Sequence, residues 1–165
     1  MAIKVVSSSE LMWVEQKTGE LFGNKRKSFT KAAGGEKLGC SIYEIEPGRS
    51  AFPKHFHTAN EEAIYILDGE GTLHLGEASV IVKSGDYISI PTGAAHAHRL
   101  ENTSAMPLRY LCFSTMIHPE VTMYVDSNKV GVMVGSAPGG DKTARVFEGV
   151  FTAESRVDYF FREKT

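Results

Sequence analysis

Between Leu38 and Pro91 every apolar run is cut short by a turn pair, and this punctuation confines the chain to short strands. Leu38 to Glu46 (LGCSIYEIE) alternates and stops at Pro47-Gly48. Ala63 to Leu67 stops at Asp68-Gly69, Val80 to Val82 at Ser84-Gly85, and Tyr87 to Ile90 at Pro91. Successive side chains on a strand point to opposite faces, so an alternating run gives one buried and one solvated face, while Gly and Pro supply the turn geometry. Leu108 to Thr115, Val130 to Val134, Arg145 to Phe151 and Arg156 to Phe161 read as further strands. Many short strands spaced by roughly ten residues predict an all-β sandwich or closed barrel with little helix. One helix is expected, over Ser8 to Gln16. There Ser7, Ser8 or Ser9 could cap, and Leu11, Met12 and Val14 could form an apolar stripe. The charged stretch Asn24 to Lys31 (NKRKSFTK) reads as a solvated loop.

Composition narrows the class of partner. A chain of 165 residues suits a single domain, residues 1–165. Its formal net charge of -2, with Lys and Arg scattered apart from the stretch near Lys25, argues against nucleic acid or an anionic membrane as a partner. A small molecule is the expected partner. No run approaches the roughly 18 apolar residues that a membrane span needs, and the opening MAIKVVSSSELMWVEQ is too polar for a signal-peptide core, so a cytoplasmic location is expected. Cys40 and Cys112 each sit in an apolar run and read as reduced thiols.

Metal-ligating side chains gather in one segment. His55 and His57 are two apart, which on a strand places both imidazoles on one face and Phe56 on the other. Glu62 follows after four residues, and His96 comes behind the Pro91-Thr92-Gly93 turn. Gly69, Gly71, Gly85 and Gly93 mark turns that could return each strand to the same cavity. An isolated His-x-His pair is usually an ordinary surface or core feature; the turns and spacing around this one point to a metal site. Neutral imidazoles with one carboxylate suit a divalent transition metal (Mn, Fe, Zn or Ni) and leave coordination positions open.

The segment resembles the paired motifs of the cupin superfamily. The family's first motif is Gly, a short spacer, His-x-His, three or four residues, Glu, six residues, Gly. His57, Glu62 and Gly69 match it, and the spacer from Gly48 to His55 is six residues where five is usual. The second motif is Gly, five residues, Pro-x-Gly, two residues, His, three residues, Asn; Gly85, Pro91, Gly93 and His96 match. Its last position falls on Leu100, whereas Asn102 has the required separation from His98. The resemblance covers roughly 38–115 and implies a small single-domain cupin of the cupin 2 type. The implied fold is a double-stranded β-helix, or jelly-roll barrel, with flanking arms 1–37 and 116–165. The implied ligands are His55, His57, Glu62 and His96, with His98 as the alternative or as a neighbour supporting the ligands from behind.

Other residues have simpler expectations. Glu61 should point away from Glu62, His74 should face solvent on a hairpin, and His118 should lie in a loop. Tyr43, Tyr65, Tyr110 and Phe113 are candidates for a pocket wall, and Lys54, Arg99 and Arg109 for holding an anion. The apolar alternation of the flanks predicts ordered extra strands and a homodimer that covers their edges. Three functions fit such a barrel: a sugar or sugar-phosphate isomerase or epimerase with a Lewis-acid metal, a metal-dependent dioxygenase, or a non-catalytic small-molecule binding protein. Reference imidazole pKa values near 6.5 predict that metal affinity falls below about pH 6.

Overall fold

The computed structural model describes residues 3–164. Thirteen strands and one short helix follow one another. They are β1 (Val14–Thr18), β2 (Phe22–Ser28), α1 (Phe29–Ala33), β3 (Leu38–Ile45), β4 (His55–His57), β5 (Glu62–Asp68), β6 (Glu70–Leu75), β7 (Ala78–Lys83), β8 (Tyr87–Ile90), β9 (His98–Glu101), β10 (Leu108–Thr115), β11 (Glu120–Tyr124), β12 (Lys129–Val134) and β13 (Phe147–Thr152). They form two antiparallel sheets, β1-β2-β3-β10-β5-β8 and β13-β12-β11-β4-β9-β6-β7. The alternation predicted an all-β architecture, and the arrangement is the double-stranded β-helix that the resemblance implied. Among the described residues no helix is long and apolar enough to cross a membrane.

The core lies between the inner faces of the sheets. Ile45, Ile66 and Leu108 are fully buried, and Tyr43, Ile64, Leu73, Val82, Ile90, Leu100 and Tyr110 pack with them. On β5 the alternation is visible residue by residue: Glu62, Ile64 and Ile66 face inward, while Tyr65 and Leu67 face solvent. Polar groups on this inner surface are satisfied individually. Fully buried Asn102 donates to the carbonyls of Ile45 and Met106, both at 2.8 Å, and accepts from Ser104. It thereby pins the end of β9 to β3.

Three expectations fail. The helix over Ser8 to Gln16 shrinks to one 3₁₀ turn, Ser8–Glu10, capped by Ser7 with Glu10 reaching back. Beyond it the chain extends into β1, because pairing with β2 satisfies backbone groups that a short amphipathic helix without a surface to cover would leave to water. The stretch Asn24 to Lys31 is β2 followed by the start of α1. Its alternation is masked because both faces are polar: outward Lys25 pairs with Glu44 at 3.2 Å, and inward Asn24 donates to the Ala51 carbonyl at 3.0 Å. Arg156 to Phe161 forms turns rather than a strand, with Tyr159 and Phe160 exposed. The thiols of Cys40 and Cys112 are free, as expected.

Truncating Ile66, which has no exposed surface, removes a side chain that clamps β5 to the core. Ile66→Ala should cost about 2–5 kcal/mol by the usual transfer and cavity contributions, read as a lower urea midpoint at unchanged slope. A loss under about 0.5 kcal/mol would contradict the packing described.

Candidate metal centre

Two adjacent strands and one facing strand build the centre. On β4, His55 and His57 share the inner face. β9 runs antiparallel beside it, with His55 directly opposite His98. From the other sheet, β5 opens with Glu62 facing inward, while Glu61 is exposed as expected. Between β8 and β9 the chain makes a turn that only Gly93 accommodates comfortably, with φ of 102° and its N–H donating to the His57 carbonyl at 2.9 Å. A 3₁₀ turn, Ala94–His96, follows, closed by the His96 N–H on the Gly93 carbonyl.

That extra turn decides which histidine enters the barrel. His96 stays in the turn and remains partly exposed, whereas β9 begins at His98, which is buried. The structure therefore brings His55, His57, Glu62 and His98 together and leaves His96 outside. The signal was present in the sequence: Asn102, placed four after His98, is the buried anchor at the end of the same strand. Counting from Pro91 and Gly93 pointed to His96 because that count does not register the two residues consumed by the turn.

The geometry suits a cation. One ligand atom each from His55, Glu62 and His98 lie within 4.8 Å of one another, and His98 Nε2 is 3.3 Å from Glu62 Oε2. Ligands about 2.0–2.2 Å from a common ion are separated by roughly 3–4 Å, so small rotations would close the set. His57 Nε2 approaches the same Glu62 oxygen at 3.5 Å. The far nitrogens are already committed. His55 Nδ1–H donates to the Pro53 carbonyl at 2.8 Å, and His98 Nδ1–H to the His96 carbonyl at 3.1 Å. A carbonyl only accepts, so each Nδ1 carries a proton and each Nε2 is directed inward, where in a neutral ring it offers its lone pair, the arrangement that orients histidines toward a metal.

His57 is held differently. Its Nδ1 faces Thr122 Oγ1 at 3.4 Å and Glu120 Oε2 at 3.6 Å. Glu120 is fully buried, a carboxylate that the sequence reading did not single out, because one Glu after a proline has no distinguishing pattern. Its oxygens accept from the backbone N–H of Thr58, Ala59 and Asn60 at 3.0–3.3 Å and from the Asn60 side chain. Glu120 thus braces the loop joining His57 to Glu62.

Charges in the centre are set by a contest between burial and pairing. Burial, reinforced by the neighbouring His98, lowers the His55 pKa to about 4, so His55 is neutral at neutral pH. Burial also disfavours the cation at His57, but the Glu120 and Glu62 carboxylates outweigh it and raise that pKa to about 9. Burial opposes ionisation of Glu62, yet contacts with His57 and His98 hold its pKa well below the usual carboxylate range. Aromatic side chains line the neighbouring interior. Tyr43 stacks on Tyr110 at 5.2 Å and meets Phe52 edge-on at 5.7 Å, and Phe52 and Tyr124 lie 6.3 and 6.1 Å from His55. Tyr65 faces outward instead, and the Cys112 thiol lies 3.8 Å from Glu62.

Five similarities to known proteins bear on this fold. Residues 41–114 match the pattern of the cupin domain. The chain carries a cupin domain of the cupin 2 type. The chain is 33% identical over 102 residues to quercetin 2,3-dioxygenase of Bacillus subtilis, across 59% of the chain and 29% of that protein. It is 42% identical over 70 residues to an uncharacterised protein of Methanocaldococcus jannaschii, across 42% of the chain and 54% of the relative. The chain thus spans about half or less of these relatives. A crystal structure from Acidithiobacillus ferrooxidans, assigned as a sugar phosphate isomerase, superposes with a TM-score of 0.73 at 22% identity, covering 93% of this chain and 95% of that one. A sugar phosphate isomerase of the cupin superfamily from Silicibacter pomeroyi gives 0.69 at 19% identity, over 80% and 78%. At those identities the likeness is one of fold.

The Glu120 pKa offers a test of the brace. Burial favours its neutral form, but the contacts from His57, Asn60 and Thr58 lower the pKa to about 2. A folded-state value below the unfolded one stabilises the fold above about pH 4.5 and loses that contribution as pH falls toward 2. Glu120→Gln should therefore be destabilised at pH 7 by about 2–4 kcal/mol, and the gap to the unaltered protein should narrow below pH 4 in urea melts. A gap independent of pH would show that the charge of Glu120 is not what matters.

Proposed function

We propose that this cupin is a metal-dependent enzyme acting on a small molecule, a sugar or sugar-phosphate isomerase or epimerase, with the ion held by His55, His57, Glu62 and His98. One observation carries the reading: imidazoles whose Nδ1 atoms are tied back converge with their Nε2 atoms on a single buried carboxylate. A divalent Mn, Fe, Zn or Ni ion in this donor set would polarise a substrate carbonyl or hydroxyl as a Lewis acid. The chain supplies the rest. Glu62 offsets the ion's charge, Glu120 holds the His57 ring in place, and the wall of Tyr43, Phe52 and Tyr110 excludes water from the reacting end.

Ligand replacement tests the set. His55→Ala and His98→Ala should lose at least about tenfold in metal affinity while His96→Ala keeps full metal content by elemental analysis; the reverse order for His96 and His98 would overturn the assignment. Proton balance gives a second check. With a pKa of about 9, His57 is protonated in the metal-free protein at neutral pH and must release its proton to ligate. Metal affinity should therefore go on rising up to about pH 9, higher than reference histidine values predict. Calorimetry at pH 7.5 in buffers of different ionisation enthalpy should show about one proton released per ion. No release would remove His57 from the set.

Turnover separates the classes. Metal-loaded protein incubated with aldoses, ketoses and their phosphates in D₂O should place deuterium beside the carbonyl. The stretch similar to a quercetin dioxygenase favours a second reading, which predicts oxygen consumption by the iron-loaded protein with a flavonol and no deuterium exchange. Ligand binding with neither signal would make the protein a non-catalytic binder. We also propose a homodimer. Leu38 and Tyr87 are exposed on the outer face of the first sheet, beside a cleft of about 370 Å³. Light scattering should return twice the monomer mass.

A further inference from the structure

We propose that Arg26 is the anchor for an anionic group of the substrate, a carboxylate or phosphate, placed across the barrel interior from the metal centre. The proposal rests on the reading of that centre as the place where substrate reacts. Arg26 lies on β2 opposite Tyr43 of β3 and faces inward with it. Its Nε donates to buried Ser41 Oγ at 3.0 Å, and its guanidinium lies 5.6 Å from the centre of the Tyr43 ring. From there the interior wall continues without interruption: Tyr43 contacts Phe52 at 5.7 Å, and Phe52 contacts His55 at 6.3 Å. The cation is thus two rings away from a proposed metal ligand, on the same inner surface.

Arg26 faces inward with no carboxylate partner among the described residues. The cations suggested by the sequence for holding an anion are already engaged: Arg109 pairs with Glu44 at 2.7 Å, Arg99 with Glu101 at 3.5 Å and Asp126 at 3.8 Å, and Lys54 donates to the Gly76 carbonyl. Lys25 is held by Glu44 and Glu46 and Arg49 lies 3.9 Å from Glu46, so β2 and its surroundings spend their other charges on each other. Among the described residues no carboxylate lies within 4.0 Å of the Arg26 guanidinium, and its Nη groups make no hydrogen bond, which leaves the fork that binds carboxylate or phosphate in two-point fashion free. Arg26, on β2, and Glu62, on β5, are separated by three strand spacings, about 14 Å at the backbone, and both side chains shorten that span from its ends. A small molecule of several heavy atoms would bridge them, its anionic end on Arg26 and an oxygen at the metal. Gly139 lies beside the guanidinium: a Cβ there would meet Nη2 at 2.8 Å, so a side chain at this position would displace the cation.

The test follows the Arg26 Nε–H resonance of the zinc-loaded full chain by ¹⁵N NMR while inorganic phosphate and malonate are titrated in separate arms. A saturable shift below about 10 mM in one arm is expected and names the anion class. Both variants lack that resonance, so their anion affinity is read by calorimetry on the zinc-loaded chain beside the unaltered protein: Arg26→Gln should weaken binding at least about tenfold, and Arg26→Lys, which keeps the charge but loses the planar fork, by a smaller factor, both with zinc content unchanged. No saturable shift in either arm, or affinity within twofold of the unaltered protein in Arg26→Lys and Arg26→Gln, overturns the proposal. Should Arg26→Gln not fold, the Arg26→Lys comparison and the site-resolved shift decide alone. Loss of zinc from His98→Ala is read separately, so a failed anion site and a failed metal centre give different results.

Discussion

A buried carboxylate has to be compensated by cations or hydrogen-bond donors that the fold brings to it, and Glu62 and Glu120 impose that demand on the barrel interior. Glu62 meets it with His57 and His98, and Glu120 with His57 and three consecutive backbone N–H groups. His57 stands between the two acids, so a single ring couples strands from both sheets. The short loop from His57 to Glu62 can turn sharply because Glu120 absorbs its N–H groups, and that turn is what aims Glu62 inward beside the histidines. Packing alone would not produce this arrangement.

The apolar core serves the same purpose from the other side. Ile64 and Ile66 continue the inward face that Glu62 begins, so the packing that buries them also fixes the rotation of β5. Asn102 does for β9 what these residues do for β5: its side chain ties the strand end to Ile45 and sets the register that places His98 opposite His55. Stability and site geometry therefore share residues, and a core substitution on β5 is expected to loosen the centre as well as the fold.

Charge inside the barrel is unevenly distributed. One end holds imidazoles and a carboxylate, the middle is aromatic, and Arg26 lies at the β2 side without a counter-ion. The proposed anchor and donor set would together suit a small ligand with an apolar or polyol body and an anionic end. The outward charges, by contrast, neutralise one another in pairs on the surface, as Lys25, Glu44 and Arg109 do.

Alternation and turn chemistry in the sequence were enough to give the β architecture, and the His-x-His pair with Glu62 named three side chains that the structure brings together, because strand periodicity and local spacing act over a few residues. The polar two-faced β2, mistaken for a loop, shows the limit of that signal: its inward Asn24 and Arg26 find their partners only when β3 lies alongside. The choice between His96 and His98 was likewise beyond local counting, since it depends on a 3₁₀ turn after Gly93 and on the anchoring of Asn102 to a strand more than fifty residues earlier. Glu120 and Arg26 carry no pattern at all. Their roles arise because tertiary structure buries one acid among backbone donors and leaves one cation facing the interior without an acid beside it.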